Sequence, residues 1–393
     1  MHSIAKFYVI FCIQLQEMIK RSLQVQIENW LFRKKVIVIY GARQVGKTTL
    51  VNSILAKHPE KSAYFNCEIQ SVKNALEEQE PLTLKRYIGD KQLVVFDEAQ
   101  YIRHIGRVLK ILIDTYPDLQ IIATGSSSFE LANRTSEPLT GRSINFTLYP
   151  LSYKELEGIY SPLERRGQLD FHLRYGLYPE IANASEEDAR MLLDDLSSKY
   201  LYKDILAFEN LKHSNLLHKL LQLLALQIGG EVSYHELANA LRIDSRTVER
   251  YIDLLEKAFV IFRLPPFSRN LRKEISKRHK VYFYDIGIRN SIVQQYQPME
   301  LRTDKGAVWE NFLIVERLKL LQAKQIRPNR YFWRTHDQQE IDYLEESGGK
   351  IRGFEIKWKK PGRHKVPKTF TKAYPEGEVS FIDQSNFEDF ILE

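Results

Sequence analysis

Residues 36–50 read VIVIYGARQVGKTTL, an apolar run that breaks into a glycine-bounded loop and then into helix-favouring residues. Five consecutive apolar residues, VIVIY, suit a short strand covered on both faces. The loop Gly41-Ala42-Arg43-Gln44-Val45-Gly46-Lys47-Thr48 has the spacing that turns successive backbone N–H groups toward phosphate oxygens. Gly41 and Gly46 permit backbone conformations that a side chain forbids. A helix opening at Lys47 aims its positive end at the same phosphates. Lys47 is expected to reach the β- and γ-phosphates, and the Thr48 hydroxyl to ligate magnesium, with Thr49 in the same first turn.

Working outward, strand and helix patterns alternate. SAYFNC (62–67), QLVVFDEAQ (92–100), LQIIATGS (119–126) and INFTLYPL (144–151) read as strands, with helices such as RVLKILIDTY between them. That alternation predicts an α/β fold, a parallel sheet of the P-loop NTPase kind with helices on both faces. The strand LVVFD ends in two acids about 50 residues after the loop. Asp97 is placed to hold magnesium, and Glu98 to polarise the attacking water. The next strand ends ATGSSS, so Thr124 or Ser126 is expected beside the γ-phosphate as a sensor, Ser126 being favoured. Arg142 in LTGR is a candidate for the arginine that neutralises transition-state charge, in its own chain or on a neighbour, or else a plain ion pair.

GARQVGKTTL, VVFDEAQ, ATGSSS, LTGRSINFTLYPLSYKEL and RYGLYPE together resemble a large group of prokaryotic AAA-type ATPases, related to archaeal ATPases and the origin-recognition clade. The resemblance covers the chain from Met18 onward. It implies an ATPase core over 18–151, a helical lid region over 152–230, a winged helix over 231–267, and a C-terminal domain of unknown function over 268–393 with a restriction-endonuclease-like fold. It also implies ATP as the nucleotide, where the motifs alone leave GTP open. No GTP-type base-reading signature is visible.

Within 231–267, Ser233 and Glu236 form a capping box opening SYHELANAL. In SRTVERYIDLLEKA, Val248, Tyr251, Leu254 and Leu255 recur at helical spacing as a core stripe. Arg246 and Arg250 fall on another face, with Arg242 in the turn before them, the placement of a recognition helix facing DNA. The same arginines equally suit a solvated scaffold.

The C-terminal region carries a second constellation. KGAVWENFLIVERLKLL reads as an amphipathic helix containing Glu310, and YFWRTHDQQEIDYLEE as a strand pair containing Asp342. GFEIKWKK places Glu355 and Lys357 on one strand face, because alternate residues share a face. An Asp followed by Glu-x-Lys is the restriction-type nuclease pattern. It predicts magnesium on Asp342 and Glu355, with Lys357 orienting a water.

Composition bounds these readings. The chain has 393 residues, enough for two or three domains, with 44% hydrophobic and 27% charged residues and a net charge of +7. Between Arg263 and Lys360 there are 21 Lys and Arg against 12 Asp and Glu, which suits a polyanion partner or a solvated basic surface. Two cysteines, Cys12 and Cys67, in no ligand spacing, argue against a disulfide framework or zinc site and fit a reducing cytoplasm. The run FYVIFCI (7–13) is too short to span a bilayer, and no later apolar run approaches the roughly 18 residues a span needs, so a soluble protein with no membrane partner is expected. Met18 is the expected natural start, with 1–17 an upstream extension.

The reading drawn is an ATP-hydrolysing, DNA-associated protein, oligomeric or not, whose nucleotide state controls the winged helix and nuclease-like domain. The rival is an ATP-driven protein-interaction switch with an inactive C-terminal partner-binding domain. A small-molecule kinase fits less well, since no phosphoacceptor-binding lid is evident.

Overall fold

The computed structural model describes residues 19–126, 139–201, 214–267, 278–335, 337–359 and 366–393, leaving aside the side chains of 199–201 and 214. The expected extension 1–17 and most of the basic stretch 268–280 lie outside the described residues. The chain divides into two compact units, one running to Leu151 and including Glu155–Leu163, the other formed by Ser152–Lys154 and Glu164–Glu393.

In the first unit, α1 (Ser22–Glu28) precedes β1 (Val36–Tyr40), and α2 (Lys47–Leu55) follows the loop. Then come β2 (Ser62–Asn66), α3 (Gln70–Glu77), α4 (Pro81–Ile88), β3 (Leu93–Asp97), α5 (Ile105–Thr115), β4 (Gln120–Gly125) and β5 (Ser143–Thr147). The segment 70–88 divides because Pro81 cannot donate to a preceding turn but suits a first helical position. The five strands form one sheet in the order β2-β3-β4-β1-β5, every pair parallel. The three central strands are buried along their whole length, which is why their sequences run apolar without alternation. Because β1, β3 and β4 run in parallel, the loop after Tyr40, the acids at Asp97–Glu98 and the polar residues at 124–126 emerge at the same sheet edge.

The second unit opens with α6 (Leu169–Tyr175), α7 (Glu186–Asp195) and α8 (Ser214–Leu226). In the RYGLYPE segment, the Leu177 amide donates to buried Asp285 at 2.8 Å. Next are β6 (Glu231–Ser233), α9 (Tyr234–Leu241), α10 (Ser245–Lys257), β7 (Ile261–Leu264) and β8 (Arg278–Phe283). Ser233 caps α9 and Asp244 caps α10, each accepting from an amide three residues on. Val248, Tyr251, Leu254 and Leu255 are buried as their spacing predicts, each burial stabilising by about 1.5–3 kcal/mol.

One boundary differs from expectation. β8, expected to begin the C-terminal domain, lies between β6 and β7 in an antiparallel three-stranded sheet. Its central residues need partners on both edges, and β6 and β7 supply them.

After α11 (Ile286–Ile292) the chain forms α12 (Lys305–Ala323), β9 (Asn329–Arg334), β10 (Glu340–Ser347), β11 (Lys350–Ile356), α13 (Lys368–Ala373), β12 (Glu378–Ile382) and α14 (Phe387–Leu392). The sheet order is β12-β11-β10-β9, antiparallel except where β12 runs parallel to β11. α12 is not amphipathic as expected. Trp309, Phe312, Glu316 and Lys319 are all buried, so the helix is covered on most sides.

Candidate functional site

The loop after β1 is shaped by two glycines for different reasons. Gly46 caps α2 at φ 92, a left-handed conformation unfavourable for side chains. Gly41 instead lies against the backbone of Leu148, where a Cβ would come within 2.2 Å of the carbonyl oxygen. Val45 is buried, while Gln44, Thr48 and Thr49 are exposed. The Lys47 ammonium donates to the carbonyls of Gly41 and Ala42, each at 2.9 Å, which folds it over the loop. Arg43 donates to the Tyr101 hydroxyl at 3.2 Å.

Asp97 is the centre of the acid end. Its carboxylate accepts from Thr48 at 2.7 Å, from Tyr64 at 2.5 Å and, on the other oxygen, from Thr124. Three hydroxyls from three elements thus satisfy one buried carboxyl group, which would otherwise lack hydrogen-bond partners inside the fold. Burial first, and then the bond to Asp97, raise the Tyr64 pKa well above the ordinary phenol value, so Tyr64 remains a donor. Cys67, fully buried, has its thiol pushed up to about 12, by burial first and then by Asp97 and Glu98.

Glu98 stands at φ 53, its amide held by the Thr124 hydroxyl at 3.1 Å. The Gln100 amide donates both to the Glu98 carboxylate and, at 3.1 Å, to Ser126. Of the two residues expected beside the γ-phosphate, Thr124 touches Asp97 and the Glu98 amide, while Ser126, the one favoured, touches Gln100. Tyr64, Gln100 and Arg21 escaped the sequence reading. Arg21 donates to Val45 and Tyr149 carbonyls at 2.6 and 2.5 Å and pairs with Glu155, bracing the loop from behind. Each carries its signal in strand pairing or a contact distant in sequence, so no local pattern announces it.

For Arg142 two alternatives stood open, a charge-neutralising arginine and a plain ion pair. It precedes β5, whose parallel register with β1 puts Ser143 opposite Val36 and Thr147 opposite Tyr40. Arg142 therefore sits at the opposite sheet edge from the loop, and its guanidinium pairs with Asp114 at 2.7 Å on the surface. Within its own chain it is a plain ion pair.

In the second unit, Arg242, Arg246 and Arg250 are all exposed, in the turn and along α10. Arg242 takes the left-handed position closing α9, at φ 57.

At the C-terminal constellation, Lys357 lies 3.2 Å from Asp342 and 3.6 Å from Glu355, which bounds those two oxygens at 6.8 Å apart. The expected convergence is present. What stands between the carboxylates, however, is lysine. The Ile356 amide also donates to Asp342, at 2.8 Å. A further lysine, Lys280 of β8, lies 3.2 Å from Glu310 and 3.9 Å from Asp342, and pairs with Glu340. Asp342 and Glu355, the two carboxylates expected to take magnesium, thus both face Lys357, and among the described residues no group of three or more His, Cys, Asp and Glu is arranged to hold a metal. Burial pushes Glu310 up to about 7; Lys280 opposes this, while Asp342 and Glu340 add to it.

Three family models match parts of the chain. Residues 33–157 match an AAA domain family. Its bounds enclose the loop, the paired acids and the strand bearing Thr124, so this part of the chain is similar to an AAA-type P-loop ATPase domain. Residues 166–298 match a domain of unknown function (DUF8612), and 305–386 another (DUF4143). The bounds of the first include β8, and those of the second begin after it. Uncharacterized proteins of Mycobacterium tuberculosis and Mycobacterium bovis are each 29% identical over 341 residues, spanning 86% of this chain and 74% of theirs. The solved structure of the Thermotoga maritima RuvB Holliday junction branch migration motor aligns with 59% of this chain and 82% of its own, at 20% identity and a TM-score of 0.30. Among the described residues, no helix is long and apolar enough to cross a membrane.

Proposed function

We propose that this chain binds and hydrolyses ATP, and that the nucleotide state of the first unit governs a DNA-facing second unit in the cytoplasm. The observation that carries the first half is the buried carboxylate of Asp97 accepting from Thr48 of α2, the residue after Lys47, and from Thr124 of β4. Thr48 and Asp97 would hold magnesium, which supplies charge neutralisation to the phosphates when bound. Lys47 exchanges its two loop carbonyls for phosphate oxygens, and the loop amides 41–48 receive the rest of the anion. Glu98 takes the orienting contact to the attacking water, held by Gln100. Magnesium-dependent phosphate release from ATP by the purified full chain, compared with Lys47→Ala, tests this; equal rates would remove the reading.

DNA association rests on the second unit. The succession α8, β6, α9, α10, β7, β8, with a sheet ordered β6-β8-β7, supports a winged helix in which α10 presents Arg246 and Arg250. The succession α12, three antiparallel strands, α13 and a parallel strand supports a restriction-endonuclease-like domain beyond it. The ion-paired state of Asp342 favours a second reading for that domain, a partner-binding module within an ATP-driven switch. Whether the assembly is oligomeric belongs to the same proposal.

A further inference from the structure

Lys280 closes the basic stretch 268–280, yet it is 1% exposed in the middle of β8. Its neighbours across the sheet are Glu231 of β6 and Leu264 of β7. Its ammonium faces Glu310 of α12 and Glu340 and Asp342 of β10, three carboxylates from two elements. Tyr282, two residues on along the same face, donates to the Glu310 oxygen that Lys280 also reaches. The two oxygens of Asp342 are divided between two ammoniums, Oδ1 toward Lys280 and Oδ2 toward Lys357.

Carboxylates this close repel one another unless a cation stands among them. The restriction-type pattern expects a divalent metal on Asp342 and Glu355, so it shares Asp342 with this cluster. We propose that Lys280 is the built-in cation of this cluster, that it closes the cluster to divalent metal, and that removing its ammonium opens a divalent-cation site on Glu310, Glu340 and Asp342.

The electrostatics agree. Burial alone would discharge Lys280, but Glu310, Asp342 and Glu340 together raise its pKa above the ordinary lysine value, so the ammonium stays charged at any physiological pH. A permanently charged group satisfying several carboxylates leaves a metal with both its charge role and its position taken. Oxygens gathered within 3.9 Å of one point need move only about 1–2 Å inward to reach the 2.0–2.6 Å of hard-cation bonds. The consequence for function is direct. The C-terminal sheet needs no metal to hold its charges, and Lys280 ties β8, α12 and β10 together at one buried point. The inference does not rest on the ATPase reading.

The test uses nucleotide-free full-length protein carrying Lys47→Ala, with Mn²⁺ as the probe, read by free-ion electron paramagnetic resonance and by thermal melting. With Lys280 in place, we expect no Mn²⁺ bound at the cluster and no melting shift that depends on Asp342. Binding that is lost on Asp342→Asn would overturn the proposal. With Lys280→Ala, we expect a lowered melting temperature that Mn²⁺ raises by several degrees, and no such rise when Asp342→Asn is added. A folded Lys280→Ala chain indifferent to Mn²⁺ would overturn it as well. Should Lys280→Ala fail to fold, the first arm decides, since it uses the natural lysine.

Discussion

Thr48 donates its hydroxyl to Asp97 across 2.7 Å, joining the first turn of α2 to the last residue of β3. The two residues are brought together because β1 and β3 run parallel with β4 between them. A ligand that recruits Thr48 therefore acts directly on Asp97, and through its second oxygen on Thr124 and the Glu98 amide.

Lys47→Ala is expected to abolish ATP hydrolysis, because the γ-phosphate loses its cation. Glu98→Gln should retain ATP binding and lower turnover by about 10²-fold or more, the scale of a lost orienting or proton-accepting group. Phosphate-release kinetics and nucleotide titration separate the two. Normal turnover in both variants would mean the chemistry lies elsewhere.

Gly41→Ala should disable nucleotide binding, since its Cβ would lie 2.2 Å from the Leu148 carbonyl oxygen and one of the two backbones must move. The same displacement should cost about 1–3 kcal/mol of stability, as overpacking does. Denaturation and nucleotide affinity measured together check this, and an unaffected affinity counts against the loop geometry.

Arg142→Ala should leave the ATPase rate of the isolated chain unchanged and cost at most about 1 kcal/mol, the scale of an exposed ion pair. A large loss appearing only when chains assemble would show Arg142 acting on a neighbour's nucleotide.

For DNA, Arg246→Ala with Arg250→Ala should weaken binding and reduce the slope of log affinity against log salt by about 2, near one per lost phosphate contact. Affinity measured from low to high salt provides the check. A salt-independent affinity in the unaltered chain would end the DNA reading.

Glu310 predicts a pH effect. Its folded pKa is raised from 4.5 to about 7, so the folded chain binds more protons than the unfolded one between those values. Stability should therefore fall as pH rises through about 4.5 to 7, by up to about 3 kcal/mol. The groups facing Glu310 are Lys280 and Tyr282 of β8, Glu340 and Asp342 of β10, and Lys357 beyond β11. Glu310→Gln should flatten that slope in denaturant titrations, and an unchanged slope would assign it to another group.

The first unit was readable almost residue by residue. VIVIY, LVVFD and QIIATG announce buried strands because a parallel sheet covered on both faces demands apolar residues at every position. The loop was readable because phosphate binding constrains a contiguous stretch. Thr124 and Ser126 were both named, but the sequence carries no cue for which hydroxyl meets Asp97 and which meets Gln100; packing sets those contacts.

By itself, then, the amino-acid order determined whatever lies within one strand, one turn or one helix: the loop, the acids at the end of β3, the core stripe of α10, the Asp and Glu-x-Lys on paired strands. The tertiary structure alone decided what depends on strands far apart in sequence. Arg142 moved to the far sheet edge because β5 lies beside β1 in parallel register. Lys280, 62 residues before Asp342, came to stand against it because β8 slots between β6 and β7 and packs under α12. A lysine's charge is written in the sequence, but its partner is set by the fold, because an ion pair forms over a few ångströms of space and carries no requirement on chain separation.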